Sequence, residues 1–131
     1  MVDIMVDRFA EAINTIKNNE YIGREECVVY STKLVKRLID IMRENGYVDG
    51  YEEFDDRHAK RIRIRLSKRI NNIGVVKPRH AIKRSTIIDY EQRYIPSKDF
   101  GILVISTPSG IITNREARER GTGGRLLAYM Y

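Results

Sequence analysis

Apolar residues at helical spacing open the chain and predict an amphipathic helix over residues 3–18. The positions that carry this pattern are Met5, Phe9, Ala12, Ile13 and Ile16. A turn at Gly23 and a short strand follow it. A second stretch with helical spacing begins at Ser31 or Thr32, either of which offers an N-cap oxygen. It ends at Gly46, which suits the left-handed position after a helix.

Two strand-like segments follow, residues 47–54 and 59–66, and they predict two strands of an antiparallel sheet; the second segment alternates strictly between apolar and polar residues. The second strand has Ile62, Ile64 and Leu66 on one face and Arg61, Arg63 and Arg65 on the other. Two interpretations of the arginines stay open: a solvated face that pairs with the acidic residues of segment 52–56, or a row that contacts phosphates. The first seventy residues therefore predict an α-β-α-β-β order, with helices over a small antiparallel sheet.

The pattern changes near residues 70–73, where we place a subdomain boundary. The second part predicts, in order, a basic strand-like stretch over 74–85, a short helix ended by Pro96, a buried strand, a short helix and a closing strand. The closing strand is expected to have Leu126, Ala128 and Met130 on one face. The predicted fold class is α+β with two small packed subdomains: an N-terminal α-β-α-β-β part over 1–70 and a strand-rich part with short helices over 71–131.

Charge narrows the class of partner. The chain has 24 Lys and Arg against 18 Asp and Glu, a net charge of +6. A positive field attracts polyanions, which favours nucleic acid or an acidic membrane surface without separating RNA from DNA. No apolar run reaches the length of a membrane span, and the acidic opening MVDIMVDRF does not fit a secretory signal. A single cysteine, Cys27, excludes an intrachain disulfide, and we predict a cytoplasmic protein.

The most unusual chemistry lies in the C-terminal stretch ISTPSGIITNREARERGTGGRLLAYMY. Its segment 107–110 predicts a type I turn, which fixes the backbone and displays the hydroxyls of Ser106, Thr107 and Ser109. Its segment 121–124, Gly-Thr-Gly-Gly, lacks the ending of a phosphate-binding Walker loop, so we interpret the missing side chains as room for a partner to approach closely. Hydroxyls beside bare backbone fit the 2′-OH groups and base edges of RNA, but a turn and a loop that serve only the fold explain the residues equally well.

This stretch closely resembles the C-terminal signature of the eighth small-subunit ribosomal protein family: Ser-Thr-Ser/Pro-x-Gly, a Glu-Ala helix that begins at Thr or Ser, Gly-x-Gly-Gly, and a hydrophobic strand. The resemblance covers nearly the whole chain, including RFAEAINTIKNNE and YSTKLVKRLIDIMRENGYV, and the segment IGVVKPRHAI is similar to the archaeal and eukaryotic branch. It implies a structural constituent of the ribosome, not an enzyme, without cofactor or metal. The implied partners are the central domain of small-subunit rRNA, where the family helps to assemble the platform, and neighbouring ribosomal proteins. No membrane is implied, and we expect a monomer when the protein is free.

The resemblance also implies which residues contact RNA. In the second subdomain these are Ser106, Thr107, Pro108 and Ser109, with Gly123 and Gly124 beside them. In the first subdomain Lys33, together with Ser31 and Thr32, is implied to reach the phosphate backbone. Arg79 and Lys83 lie in the segment typical of the archaeal branch, and we predict that they contact RNA as well. Two positions depart from the family pattern. Ser109 replaces a residue that is often basic or amide-bearing, so a phosphate contact is expected to be missing there, and Arg125 replaces a bacterial Glu and is expected to add one.

The residues alone offer two other hypotheses. An enzyme would use His58, His80, Cys27 or the acidic segment DGYEEFDDRH, but these show no nucleophile arrangement, metal-ligand spacing or calcium-loop spacing. A DNA-binding regulator would place the helix after Ser31 in a major groove, but most of that helix is apolar and predicts a core element.

Overall fold

The computed structural model describes residues 2–77 and 79–131, with side chains from residue 8 onward. The Met5 side chain, predicted for the apolar face of the first helix, and Pro78, in the predicted strand-like stretch, lie outside the described residues. The chain forms two compact units, Met1–Ile70 and Asn71–Tyr131. Within the described ranges there are four helices and eight strands in two sheets, which confirms the predicted α+β fold class.

The first unit folds in the predicted α-β-α-β-β order. Its elements are α1 (Val2–Tyr21), β1 (Glu26–Tyr30), α2 (Lys33–Glu44), β2 (Val48–Asp56) and β3 (Ala59–Leu66). The strands form an antiparallel sheet in the order β1-β3-β2, with α1 packed on β1 and α2 on β2. The helix residues that are fully buried include Phe9, Ile13, Ile16, Leu38, Ile39 and Met42. The helical spacing of the sequence therefore marks the faces that cover the sheet.

Local residues decide where α2 begins and ends. Thr32 is its N-cap, and Thr32 Oγ1 accepts a hydrogen bond from the Val35 amide at 3.1 Å. The alternative cap, Ser31, donates its hydroxyl to Glu53 instead. Gly46 follows the C-cap with a φ of 79°, which confirms the left-handed position predicted for it.

Strand β3 has one buried and one solvated face. The apolar residues of the pattern, Ile62, Ile64 and Leu66, are buried. On the opposite face Arg63 Nη1 lies 2.6 Å from Glu52 Oε1, and Arg61 Nε lies 2.8 Å from Asp56 Oδ2. For these two arginines the structure confirms the interpretation in which they pair with acids of the neighbouring strand. Half-exposed ion pairs of this kind contribute about 0–1 kcal/mol each.

The second unit is rich in strands, as predicted. Its elements are β4 (Ile73–Val75), β5 (Ala81–Ile82), a 3₁₀ turn (Arg84–Thr86), α3 (Ile87–Tyr94), β6 (Ile102–Thr107), β7 (Gly110–Thr113), α4 (Asn114–Arg120) and β8 (Gly124–Met130). The sheet order is β4-β8-β6-β7, and β5 also pairs with β8. The last strand of the chain is therefore a central strand of its sheet.

Two strand predictions for this unit need correction. The strand-like stretch 74–85 forms two short strands, because β4 pairs with the C-terminal end of β8 while β5 pairs with its N-terminal end. The single buried face predicted for β8 is also incomplete. A register shift between Val104 and Ile105 of the adjacent β6 buries Leu127 as well as Leu126.

Candidate nucleic-acid interface

The hairpin of β6 and β7 ends in a two-residue loop that carries the predicted hydroxyl turn. Thr107 pairs with Gly110, so Pro108 and Ser109 form an exposed tip. Gly110 has a φ of 125°, whereas Lys68 is the one non-glycine residue with a positive φ in the described part of the chain. A type II turn would need a positive φ at Ser109, so the backbone agrees with the predicted type I turn. We call residues 106–110 the hydroxyl hairpin.

The hydroxyls at the tip are already bonded in a defined direction. Thr107 Oγ1 donates to the Gly110 carbonyl oxygen at 2.7 Å and lies 3.2 Å from Ser109 Oγ. Since a hydroxyl has a single proton, Ser109 is the donor in the second contact. The hydrogen-bonding capacity that remains for a partner at the tip therefore consists of acceptor lone pairs on the hydroxyl oxygens of Thr107 and Ser109. The Ser106 hydroxyl has no hydrogen bond to any other described side chain.

Arg125 lies beside the hydroxyl hairpin on the next strand. It pairs with Ser106 across β6 and β8, and directly opposed residues place their side chains on the same face of a sheet. The Arg125 side chain is exposed, and its Nη1 lies 3.4 Å from the carbonyl oxygen of the half-buried Arg79. A guanidinium has several donors, so this one long contact leaves most of them for an anion. The sheet thus brings Arg125, Arg79 and the hydroxyl hairpin together.

Gly123 and Gly124 are required by the fold itself. A Cβ on Gly123 would lie 2.1 Å from the Ile82 carbonyl oxygen, and a Cβ on Gly124 would lie 2.1 Å from the Ser106 carbonyl oxygen. Both neighbours are backbone atoms, so strands β5 and β6 would have to move to make room. The glycines do permit close approach, as the sequence predicts, but the segments that approach them belong to this chain. Gly124 also lies next to Ser106, as expected.

Two basic residues adjoin residues 121–124, which we call the glycine loop. Lys83 is exposed, and its Cα lies 3.1 Å from the position of a Cβ on Gly123. Arg84 is exposed as well, and its Nη1 lies 3.7 Å from the position of a Cβ on Gly121. Arg84 is not among the predicted contacts, although it shares a basic stretch with Lys83. Arg84 lies beside the glycine loop because β5 pairs with β8. No periodicity in the sequence indicates this pairing.

The three candidates of the first unit have different surroundings. Thr32 Oγ1 caps α2, and Ser31 Oγ donates to Glu53 Oε2 at 2.5 Å. That hydrogen bond is the main reason why the pKa of Glu53 is lowered. Lys33 is exposed at the first position of α2, and the first turn of this helix has no acidic residue. Of the three side chains, Lys33 is the one whose polar group is open to a phosphate.

Positive charge is concentrated in the second unit. Residues 71–131 contain 10 Lys and Arg against 5 Asp and Glu, a net charge of +5. Residues 1–70 contain 14 against 13, a net charge of +1. The attraction to polyanions inferred from the whole chain therefore applies mainly to the unit that carries the hydroxyl hairpin.

The side chains of the enzyme hypothesis do not form a site. His58 is exposed, and His80 is half-buried with its ring centroid 5.7 Å from that of Tyr90. Cys27 is buried in β1, and burial raises the pKa of its thiol to about 11. Among the described residues, no group of three or more His, Cys, Asp and Glu is placed to hold a metal ion. The described helices also include none that is long and apolar enough to cross a membrane.

Comparisons with known proteins agree with these features. The sequence model of the family described as "Ribosomal protein S8" matches residues 7–131. The small ribosomal subunit protein uS8 of Picrophilus torridus is 40% identical to this chain over 126 residues, which cover 95% of the chain and 98% of that protein. The small ribosomal subunit protein uS8 of Thermoplasma volcanium is similar to the same degree, with 40% identity over 126 residues and the same coverage.

Proposed function

This chain belongs to the ribosomal protein S8 family, and on that premise we propose that it binds the central domain of small-subunit rRNA directly and helps to assemble the platform. Membership in the family makes it a structural constituent of the ribosome. Its proposed partners are that RNA and neighbouring small-subunit ribosomal proteins on the cytoplasmic ribosome, and the free protein is proposed to be a monomer. This role requires no catalytic group, cofactor or metal.

The observation that carries the proposal is the hydrogen-bonding state of the hydroxyl hairpin. Thr107 and Ser109 offer acceptor lone pairs, because their protons are used within the hairpin. RNA supplies matching donors, since every ribose has a 2′-OH and unpaired base edges carry amino groups. Duplex DNA lacks the 2′-OH. A pair of acceptors held by Pro108 loses little freedom on binding, which supports selective recognition of RNA.

Basic side chains around the hairpin supply the second part of the proposed interaction. Arg125 is exposed next to the hairpin, and Lys83 and Arg84 are exposed beside residues 121–124; all three would contact phosphates, which gives affinity that falls with salt. Lys33 would contribute in the same way from the first unit, where the N-terminus of α2 also favours an anion. The predicted RNA contacts at Ser31, Thr32, Arg79, Gly123 and Gly124 stay predictions.

A filter-binding titration tests the proposal directly. The probes are a central-domain fragment of small-subunit rRNA, a scrambled RNA of equal length, and duplex DNA, each at about 50 mM and about 200 mM salt. Selective binding of the rRNA fragment that persists at the higher salt is the expected result. Equal binding of all three probes that collapses with salt would reduce the function to a basic surface and would overturn the proposal.

Thr107→Ala is expected to weaken binding of the rRNA fragment by about 1–3 kcal/mol, because the buried donor of the RNA loses its acceptor. Thr107→Ser keeps the hydroxyl and should bind nearly as the parent does. Urea unfolding of each variant separates this effect from loss of the bond to Gly110. If Thr107→Ala loses as much affinity for scrambled RNA as for the fragment, the hydroxyl has no part in specificity.

Lys33→Ala is expected to weaken all RNAs alike and to reduce the slope of log affinity against log salt by about one phosphate contact. The physical reason is the release of fewer counterions when one ammonium group is missing. Lys33→Arg keeps the charge and should keep the slope. Titrations over a range of salt concentrations measure both. An unchanged slope in Lys33→Ala would place this residue away from the RNA.

A further inference from the structure

A carboxylate is buried inside the second unit. In the part of the chain that the structure describes, the buried polar side chains are those of Glu91, Thr113 and Asn114, and Glu91 is only 2% exposed. Glu91 Oε2 accepts a hydrogen bond from Asn114 Nδ2 at 2.5 Å, and Glu91 Oε1 accepts one from Arg118 Nη2. Asn114 Oδ1 accepts in turn from the Leu103 amide at 3.1 Å. We call Glu91, Asn114 and Arg118 the Glu91 network.

This network is not the simplest way to fill a core. Apolar residues of similar volume are often as stabilising as a buried ion pair, because both charges of the pair must lose their water. Buried polar groups that are fully hydrogen-bonded can instead hold their elements in one defined arrangement. The elements joined here are α3, which carries Glu91, α4, and β6 through the Leu103 amide.

The Glu91 network contacts helix α4 near both of its ends. It has seven residues, which is too short for a helix to be stable without tertiary contacts. Asn114 is its first residue and Arg118 lies in its last turn. The two are four residues apart and share one face of the helix, so the single carboxylate of Glu91 holds the helix at both ends.

Both ends of α4 lead into the proposed RNA-binding surface. Its first residue directly follows Thr113, the last residue of β7. Strands β6 and β7 are the two strands that the hydroxyl hairpin connects. At its other end the Gly121 amide donates to the Arg118 carbonyl oxygen at 3.2 Å, and α4 therefore sets where the glycine loop begins. That loop ends at Gly124, against the backbone of Ser106.

We propose that the Glu91 network is a positioning device for RNA recognition, which fixes the spacing between the hydroxyl hairpin and the glycine loop from inside the unit. Glu91, Asn114 and Arg118 are positioning residues: the network acts through α4 on the surface that meets the RNA. This inference rests on the proposed function. A purely structural network would stabilise the unit without influencing the RNA affinity of the folded protein, and the two roles give different results in one set of variants.

The variants exchange a carboxylate and an amide without changing size. Glu91→Gln leaves one acceptor oxygen where two are needed, so either Asn114 or Arg118 loses its partner. Combining it with Asn114→Asp restores all three hydrogen bonds of the network. The side-chain amide at position 91 then donates to the carboxylate at position 114 and accepts from Arg118. The carboxylate at position 114 also accepts from the Leu103 amide. The double variant has the same net charge as the parent. If circular dichroism shows that Glu91→Gln alone does not fold, Arg118→Lys takes its place. This variant keeps the positive charge at position 118, but its side chain is too short to reach Glu91 in the same way.

Two quantities are measured at a temperature where every variant is folded: affinity for the central-domain rRNA fragment, and amide hydrogen exchange in the RNA-free protein at Gly121, Thr122 and Gly124. For Glu91→Gln we expect about tenfold weaker binding of the fragment and faster exchange in the loop, with both restored in the double variant. Unchanged affinity in the folded single variant would overturn the inference, as would recovery of stability in the double variant without recovery of affinity. If the parent itself shows no selectivity for the fragment, the proposed function fails first, so the two failures are distinguishable.

Discussion

Replacing Gly124 with alanine is expected to destabilise the second unit by about 4 kcal/mol or more, a loss that single substitutions rarely reach. The new methyl group would lie 2.1 Å from the Ser106 carbonyl oxygen and 2.9 Å from Ile105 Cγ2. The backbone on both sides is held by the pairing of β6 with β8, so the clash is relieved only when these strands separate. Urea unfolding followed by circular dichroism measures the loss.

Gly50→Ala is the matched control for this prediction. Gly50 also lies in a strand and is buried, whereas Gly124 is half-buried, but a methyl group on Gly50 would meet Arg65 Nη2 at 2.7 Å. That atom is the end of a flexible, exposed side chain that can turn away, so we expect a loss of about 1 kcal/mol or less. Equal stability of the two variants would contradict the close approach of β8 to β6 at Ser106. It would favour the alternative in which the space at Gly124 serves the RNA.

The order of helices and strands could be predicted because it depends on local periodicity. The spacing of apolar residues in α2, the strict alternation in β3, and the capping residue Thr32 each act within a few residues of one another. The turn at Pro108 belongs to the same class, since proline itself fixes the backbone. These features need no knowledge of what lies across the sheet.

Features set by pairing between distant segments could not be predicted. Nothing local indicates that β8 lies at the centre of its sheet, or that β5 brings Arg84 to the glycine loop. Glu91 in the segment YEQRY has the sequence pattern of a surface residue, yet it is buried, and its hydrogen-bond partners Asn114 and Arg118 belong to the distant helix α4. The sequence alone suggests that Gly123 and Gly124 leave room for a partner, because the strands that occupy this room lie far away in the sequence.

The candidate site shows the same division. The hydroxyl residues and the excess of basic residues are visible in the sequence, and the resemblance to a ribosomal family supplied RNA as the partner. The direction of the hydrogen bonds from Ser109 to Thr107 and on to Gly110 depends on the hairpin register. That direction decides whether the tip offers donors or acceptors, and in the proposed function the free acceptors would receive hydrogen bonds from ribose 2′-OH groups or base amino groups.

Removing the Arg118 guanidinium is expected to lower the free energy of unfolding by about 3 kcal/mol. Glu91 is 2% exposed, so in Arg118→Ala its carboxylate stays buried with Asn114 as the remaining donor among its described partners. The Arg118 side chain is itself 36% exposed, which places the expected loss at the lower end of the range for a broken buried pair. Urea unfolding of Arg118→Ala beside the parent measures it.

Arg120→Ala provides the matched control, because Arg120 is the same residue type in the same helix. It pairs with Glu116 at 3.4 Å, and its side chain is 54% exposed. Exposed pairs at this spacing contribute about 0.3–0.5 kcal/mol, so the control should unfold nearly as the parent does.

Adding Glu91→Gln to Arg118→Ala should recover part of the loss, since no charge is then left buried without its partner. A double variant that is no more stable than Arg118→Ala would show that the loss comes from packing of the arginine stem. The carboxylate would then not be what holds α4 in place.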